Sequence, residues 1–166
     1  MAPQEFEDRT TSERLVEEVS AEMAELHAAI DAADQAVADH LGVNRTDLRS
    51  LVLLLRHGPM TAGRLATELG LTPGSVTTLI DRLERAGYAQ RQRDRRNRSR
   101  VFVRTSDGLQ VAAGELLGER GARARRLGGT QTAEQLALVR DFLRRARADQ
   151  VAFAARVRSL PRLRHT

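Results

Sequence analysis

Seven arginines fall between Arg91 and Arg104, against a single acid, Asp94. Arg95, Arg96, Arg98 and Arg100 crowd the loop of a hairpin whose arms are Tyr88 to Arg93 and Val101 to Arg104. Like charges at this density repel one another and are most easily held beside a polyanion. Each phosphate they neutralise releases counterions and yields salt-dependent affinity. An arginine at the tip can enter a narrow minor groove, and Asp94 can brace Arg98 across the loop. Just upstream, Pro73 to Ala86 reads as a helix. At 100° per residue Val76, Leu79, Ile80 and Leu83 share one face. The opposite face carries Gly74, Ser75, Thr77, Thr78, Asp81 and Arg85, with Arg82 at its edge. Small hydroxyl side chains near a helix start allow close approach to a major groove, where they can bond base edges or touch thymine methyls. The free amides of Thr72 to Ser75 can take a phosphate. Thr61 and Arg64, in the first turn of the preceding helix, are expected on the DNA backbone. Taken singly, these features also fit an amphipathic helix and a solvated loop; their adjacency points to nucleic acid.

Other chemistry finds little to work with. The histidines are His27, His40, His57 and His165, and no pair has the spacing of metal ligands. His27 with Asp31 reads as an i, i+4 surface pair. No Gly-rich phosphate loop, nucleophile elbow or pair of catalytic carboxylates stands out. There is no cysteine, which removes disulfides, thiolate metal sites and thiol redox sensing. The expectation is therefore no enzyme, no metal and no cofactor.

These side chains need a scaffold, and the pattern of apolar residues supplies one. A short helix, Thr61 to Leu69, stops at Gly70, and a second opens at Thr72-Pro73 and stops at Gly87. With the hairpin behind it, this is a winged helix-turn-helix over residues 44–105. Asn44 or Thr46 caps the helix before it, with Asp47 in its first turn. That helix is apolar on most sides through Leu48, Leu51, Val52, Leu54 and Leu55, so it should be the buried centre. Thr105-Ser106-Asp107 opens a connecting helix over 106–128, with Leu109, Ala112, Leu116 and Leu117 on one face. Two long helices flank the whole. One, over 11–41, is capped by Thr11 or Ser12 and carries Val19, Met23, Leu26, Ile30, Ala33 and Val37 at alternating fours and threes. The other, over 130–160, starts near Thr130 or Thr132 and repeats that spacing through Leu136, Val139, Leu143, Ala146, Gln150, Phe153, Val157 and Leu160. Such seams must be buried on something. The two helices could pack on each other, or on the same pair from a second copy of the chain; the second arrangement gives the two-fold symmetry that a palindromic DNA site requires.

Composition agrees with this reading. A length of 166 residues suits one domain with an oligomerisation layer. Apolar content is 41% but aromatics only 3%, which favours packed helices. There is no run of about 18 apolar residues, so no membrane span is expected. The acidic start lacks an apolar signal core, which makes the cytoplasm the expected location. The net charge of +5 hides an asymmetry. Residues 1–43 hold eleven Asp/Glu against two Arg; the remainder holds twenty-five Arg against eleven Asp/Glu. Arginine stands in for lysine throughout, so its clustering, and not its choice, is informative.

The block from Leu41 to Gly108 resembles the MarR family of bacterial winged-helix transcriptional regulators. "LRSLVLLLRHGPMTAGRLATELGLTPGSVTTLIDRLERAGYAQR" is close to that family's second helix, helix-turn-helix and first wing strand. "DRRNRSRVFV" looks like its wing signature and "TSDG" like the opening of its next helix. Asn97 stands where the family usually has Asp, and Ser99 where Arg is frequent. The resemblance implies a mainly α fold with a small β wing, whose N- and C-terminal helices intertwine into a dimerisation layer. It implies a homodimer on a pseudo-palindromic operator, most often a repressor, released by a small-molecule effector. The usual effector pocket would lie near His27, Ile30, Arg49, Leu53 and His57. Two other readings of the residues stay open: a protein-interaction module built on a winged helix, and a nonspecific architectural DNA binder.

Overall fold

Asn44 sits in an extended conformation and its side chain accepts the Asp47 amide, which starts a helix at Arg45–His57. In the computed structural model this helix (α2) lies at the centre of the larger of two compact units, Met1–Ala112 and Ala113–Thr166. The structure describes residues 3–94, 97 and 100–161, with side chains described from residue 11 onward except at 116, 117 and 120. Leu48, Leu51 and Leu54 of α2 are buried, whereas Val52 is 39% exposed. The helix is therefore less completely enclosed than its apolar content suggests.

The preceding helix, α1 (Pro3–Leu41), begins well before the expected caps at Thr11 and Ser12. The sequence permits this. Proline suits a first helical turn, where its missing N–H costs nothing. After α2 comes a strand of two residues, β1 (Met60–Thr61). It leads directly into α3 (Ala62–Leu69) and then α4 (Pro73–Arg85). The hairpin follows as β2 (Ala89–Arg93) and β3 (Val101–Thr105). The strand order is β1-β3-β2. Met60 pairs with Val103 and Thr61 with Phe102, so the expected two-stranded hairpin is the outer part of a three-stranded antiparallel sheet. Two residues are too few to show an alternation, which is why β1 left no periodic trace.

The core joins these elements. Leu51, Met60, Leu65, Leu79, Ile80, Leu83, Val76 and Val103 are each 1% exposed or less. All four apolar residues expected on the inner face of α4 belong to it, packed with Leu65 and Leu69 of α3. Burying one such aliphatic side chain stabilises by about 1.5–3 kcal/mol, so this cluster is what holds α4 in place.

The last two helices are α5 (Asp107–Gly128) and α6 (Ala133–Ser159). Ser106 opens α5, its hydroxyl accepting the Leu109 amide. Leu109 and Ala113 are buried while Ala112 is exposed, so the inner stripe runs at i, i+4 and bypasses Ala112. The side chains of Leu116 and Leu117 lie outside the described residues. Thr132 opens α6 with a full capping box: its hydroxyl accepts the Gln135 amide and its own amide donates to Gln135 Oε1. No described residue of α6 is buried. Leu143 is 50% exposed and Phe153 60%. On α1, Leu26 is 55% exposed and Ile30 38%. Most of both seams is thus exposed in the single chain, with Met23, Val37 and Ala146 partly covered. No described helix is long and apolar enough to cross a membrane.

Candidate nucleic-acid interface

The helix-turn-helix is built around one tight turn. Gly70 closes α3 in the left-handed conformation at φ 68°, and its amide reaches back to the helix. Leu71 N–H then donates to the Ala66 carbonyl at 3.0 Å. Two residues later Thr72 caps α4, with its hydroxyl accepting the Ser75 amide at 3.3 Å and sharing a 2.8 Å bond with the Ser75 hydroxyl. Proline follows at the first helical position, where its fixed φ is already helical. Thr61 caps α3 in the same manner, accepting the Arg64 amide at 3.3 Å.

The outer face of α4 is as the periodicity predicts. Gly74, Ser75, Thr77, Thr78, Asp81 and Arg85 are all exposed. Arg82, expected at the edge of the reading face, has a partner on another helix. Its Nε and Nη2 donate to the two carboxylate oxygens of Asp47 at 3.0 and 2.6 Å. The Asp47 side chain is 4% exposed and that of Arg82 41%. The hydrogen bond to Asp47 raises the Arg82 guanidinium above its already high range, against the opposing pull of burial. A carboxylate this buried needs such a partner, so Arg82 ties α4 to the first turn of α2.

A second tie joins α4 to the wing. Arg91 of β2 donates its backbone amide to Glu84 Oε1 at 2.7 Å and its guanidinium to Glu84 Oε2. The same guanidinium bonds Asp81 Oδ1 at 2.7 Å. The bond to Asp81, with the charges of Glu84 and Asp81, raises the Arg91 guanidinium despite its partial burial. Arg104 likewise meets Asp107 at 2.7 Å. Among the described arginines of the hairpin, Arg91 and Arg104 are therefore engaged with acids at its base, so the hairpin's charge is not wholly uncompensated.

The loop is closed by its backbone: Asp94 N–H donates to the Arg100 carbonyl and Arg100 N–H to the Asn97 carbonyl, both at 2.9 Å. The Arg100 guanidinium stands 5.9 Å from the centre of the Phe102 ring. Arg95, Arg96 and Arg98, and with them the proposed brace from Asp94 to Arg98, lie outside the described residues.

An exposed α4, a capped turn before it and a three-stranded sheet ending in a basic hairpin form one continuous arrangement. Residues 43–101 match the family model described as MarR family. The winged helix-turn-helix segment is thus similar to the MarR family. A curated relative, the uncharacterized HTH-type transcriptional regulator YcgE of Bacillus subtilis (strain 168), is 52% identical over 69 residues. That match covers 42% of this chain and 45% of YcgE, so the chain spans about half the length of this relative. Among solved structures, a MarR family protein from Bacillus stearothermophilus superposes with a TM-score of 0.63 at 22% identity, covering 84% of this chain and 97% of that one. Streptococcus pneumoniae FabT, solved in complex with DNA, gives 0.59 at 18% identity over 77% and 94% of the two chains. NadR, solved in complex with 4-hydroxyphenylacetate, gives 0.55 at 20% identity over 77% and 91%. At such identities the three structures establish the fold.

The structure also places the remaining expected residues. His27 and Ile30 are exposed on α1, with His27 Nε2 3.8 Å from Asp31 Oδ2. Asp31 in turn receives Arg45 of α2 at 2.5 Å. On α2, Arg49 is exposed and donates to the Glu68 carbonyl at 3.4 Å, Leu53 is half-buried against the core, and His57 is exposed in the last turn. A shallow groove elsewhere is lined by Leu136, Val139, Arg140, Leu143, Arg144 and Arg147 of α6, none of them in that set. Sequence reasoning missed both ties that orient α4. Asp47 carried one available signal: an acid on the inner side of an apolar helix demands a cation. Nothing in the local pattern named which cation, because Arg82 lies 35 residues away.

Proposed function

We propose that this chain is a dimeric transcriptional repressor that binds a pseudo-palindromic operator and is released by a small-molecule effector. The observation that carries the DNA-binding part is the exposed Gly74–Arg85 face of α4 joined to an arginine-rich hairpin. In this reading Thr72, Gly74, Ser75, Thr77 and Thr78 enter the major groove. Arg95, Arg96, Arg98 and Arg100 grip phosphates or the minor groove, and Thr61 and Arg64 meet the backbone. The largely exposed seams of α1 and α6 support dimerisation, since a second copy would cover both. Two copies of α4 must then sit about one DNA turn apart, roughly 34 Å. An effector acts by favouring a different spacing, and a preference of a few kcal/mol is enough to shift occupancy. FabT with DNA and NadR with 4-hydroxyphenylacetate support the two ligand classes by analogy of fold.

The test is a gel shift of the full chain on DNA flanking its own gene, beside a random duplex of equal length. Specific retention of the first supports the reading. Equal retention of both points to a nonspecific architectural binder. Retention of neither leaves a protein-interaction module and overturns DNA binding.

A further inference from the structure

The reading face of α4 is short of free hydrogen-bond donors, and this bears on which bases it can distinguish. Thr77 Oγ1 donates to the Pro73 carbonyl at 3.1 Å, and Thr78 Oγ1 to the Gly74 carbonyl at 3.2 Å. The Thr72 and Ser75 hydroxyls are bonded to each other. Gly74 has no side chain. Arg82 is held by Asp47, and the Asp81 carboxylate by Arg91. Arg85, one turn further along, donates its Nε to the Asp81 carbonyl at 3.3 Å. The commonest guanine contact needs a side-chain fork donating to O6 and N7. The first two turns of α4 offer no such fork. With their hydroxyl protons directed back along the helix, the exposed Thr77 and Thr78 keep a methyl group and an accepting oxygen each, and no free donor.

We propose that the methyls of Thr77 and Thr78 read the C5-methyl groups of thymines, so that α4 selects T·A pairs by apolar contact. A major-groove thymine differs from cytosine by its methyl and by an acceptor in place of a donor. A methyl-on-methyl contact excludes water and is indifferent to hydrogen-bond direction. Two neighbouring threonines on one helix suit two adjacent base steps. The engaged hydroxyls also fix the side chains, which lowers the entropy lost on docking. This inference rests on the DNA-reading proposal and specifies its base preference.

The experiment begins with the full-length protein and a pool of duplexes with a randomised centre. The enriched duplex is resynthesised with deoxyuridine replacing thymine, one position at a time, which removes only the C5-methyl. Binding is expected to weaken about fourfold at one or two thymines in each half-site, the value of one buried methyl-sized group. Thr77→Ser or Thr78→Ser should reproduce that loss, and the same deoxyuridine should then have no further effect on the variant. Thr→Val at either position should lose less than Thr→Ser. The proposal is overturned if deoxyuridine is neutral at every enriched thymine, or if Thr→Val loses more than Thr→Ser, which would make the hydroxyl the reader. Because the deoxyuridine series uses the unaltered protein, a poorly folded variant cannot mask the answer. A pool that shows no enrichment at all fails on the separate ground that the chain does not read DNA sequence.

Discussion

Arg82 grips Asp47 with two parallel hydrogen bonds, 3.0 and 2.6 Å long, from the outer edge of α4 to the buried first turn of α2. Fork-to-fork pairs of this kind add directional constraint to charge. The pair therefore adds a directional restraint to the rotation of α4 that the buried face of Val76, Leu79, Ile80 and Leu83 already sets.

Removing the arginine should cost more than removing the acid. Arg82→Ala leaves a buried carboxylate without a partner, whereas Asp47→Ala leaves a cation that can turn to water. With Arg82 41% exposed, solvent screening discounts both. We expect about 2–3 kcal/mol for Arg82→Ala and about 1 kcal/mol for Asp47→Ala, read by urea denaturation. The raised Arg82 guanidinium keeps its proton more tightly when folded, so its contribution is whole through neutral pH and is lost only as pH climbs through the guanidinium range. Equal losses from the two variants would contradict this account.

Arg91 and Arg98 should separate in a salt titration. Arg91 is already neutralised by Asp81 and Glu84, so Arg91→Ala should lower stability by about 1 kcal/mol or less and leave the salt slope of DNA binding unchanged. Arg98→Ala should flatten that slope by about one counterion. A flattened slope for Arg91→Ala would mean that its internal partners release it to phosphate.

An acid placed at an exposed seam position should separate folding from assembly. Leu143 is half exposed and Ile30 is 38% exposed in the single chain, so Leu143→Glu and Ile30→Glu leave the winged helix folded. Sedimentation velocity at micromolar concentration should move from dimer to monomer. Operator affinity should fall by about 10²–10⁴-fold as the second half-site contact is lost. Retention of the dimer by both variants would place the contact elsewhere.

Gly70→Ala tests the turn. A Cβ at Gly70 meets no atom within 4 Å, yet φ is 68°. The cost is then conformational alone, about 1–2 kcal/mol, and should appear as a lower urea midpoint with an unchanged slope.

Much of this architecture could be read from residue order, for identifiable reasons. The inner face of α4 was legible because Val76, Leu79, Ile80 and Leu83 obey a helical period and meet an equally periodic α3. The starts of α2, α4 and α6 were legible, at Asn44 or Thr46, at Thr72 and at Thr130 or Thr132, because a hydroxyl or amide before an apolar run satisfies amides that would otherwise be bare; Thr61 was read as the first residue of α3 and is its cap. The start of α1 was missed because a polar, weakly periodic segment carries no signal to set it. The strand Met60–Thr61 was too short for any period. The partners of Arg82 and Arg91 were hidden for another reason: an ion pair depends on where two elements meet, and charge alone does not say which acid an arginine will find.

The placing of β3 between β1 and β2 has a mechanical corollary. The hairpin's returning arm is stitched to Met60 and Thr61, and Thr61 is also the cap of α3. If a duplex binds the hairpin as proposed, tension on it would be delivered to the residue on which the first helix of the reading pair begins, so hairpin and reading pair would feel the same duplex through a single strut.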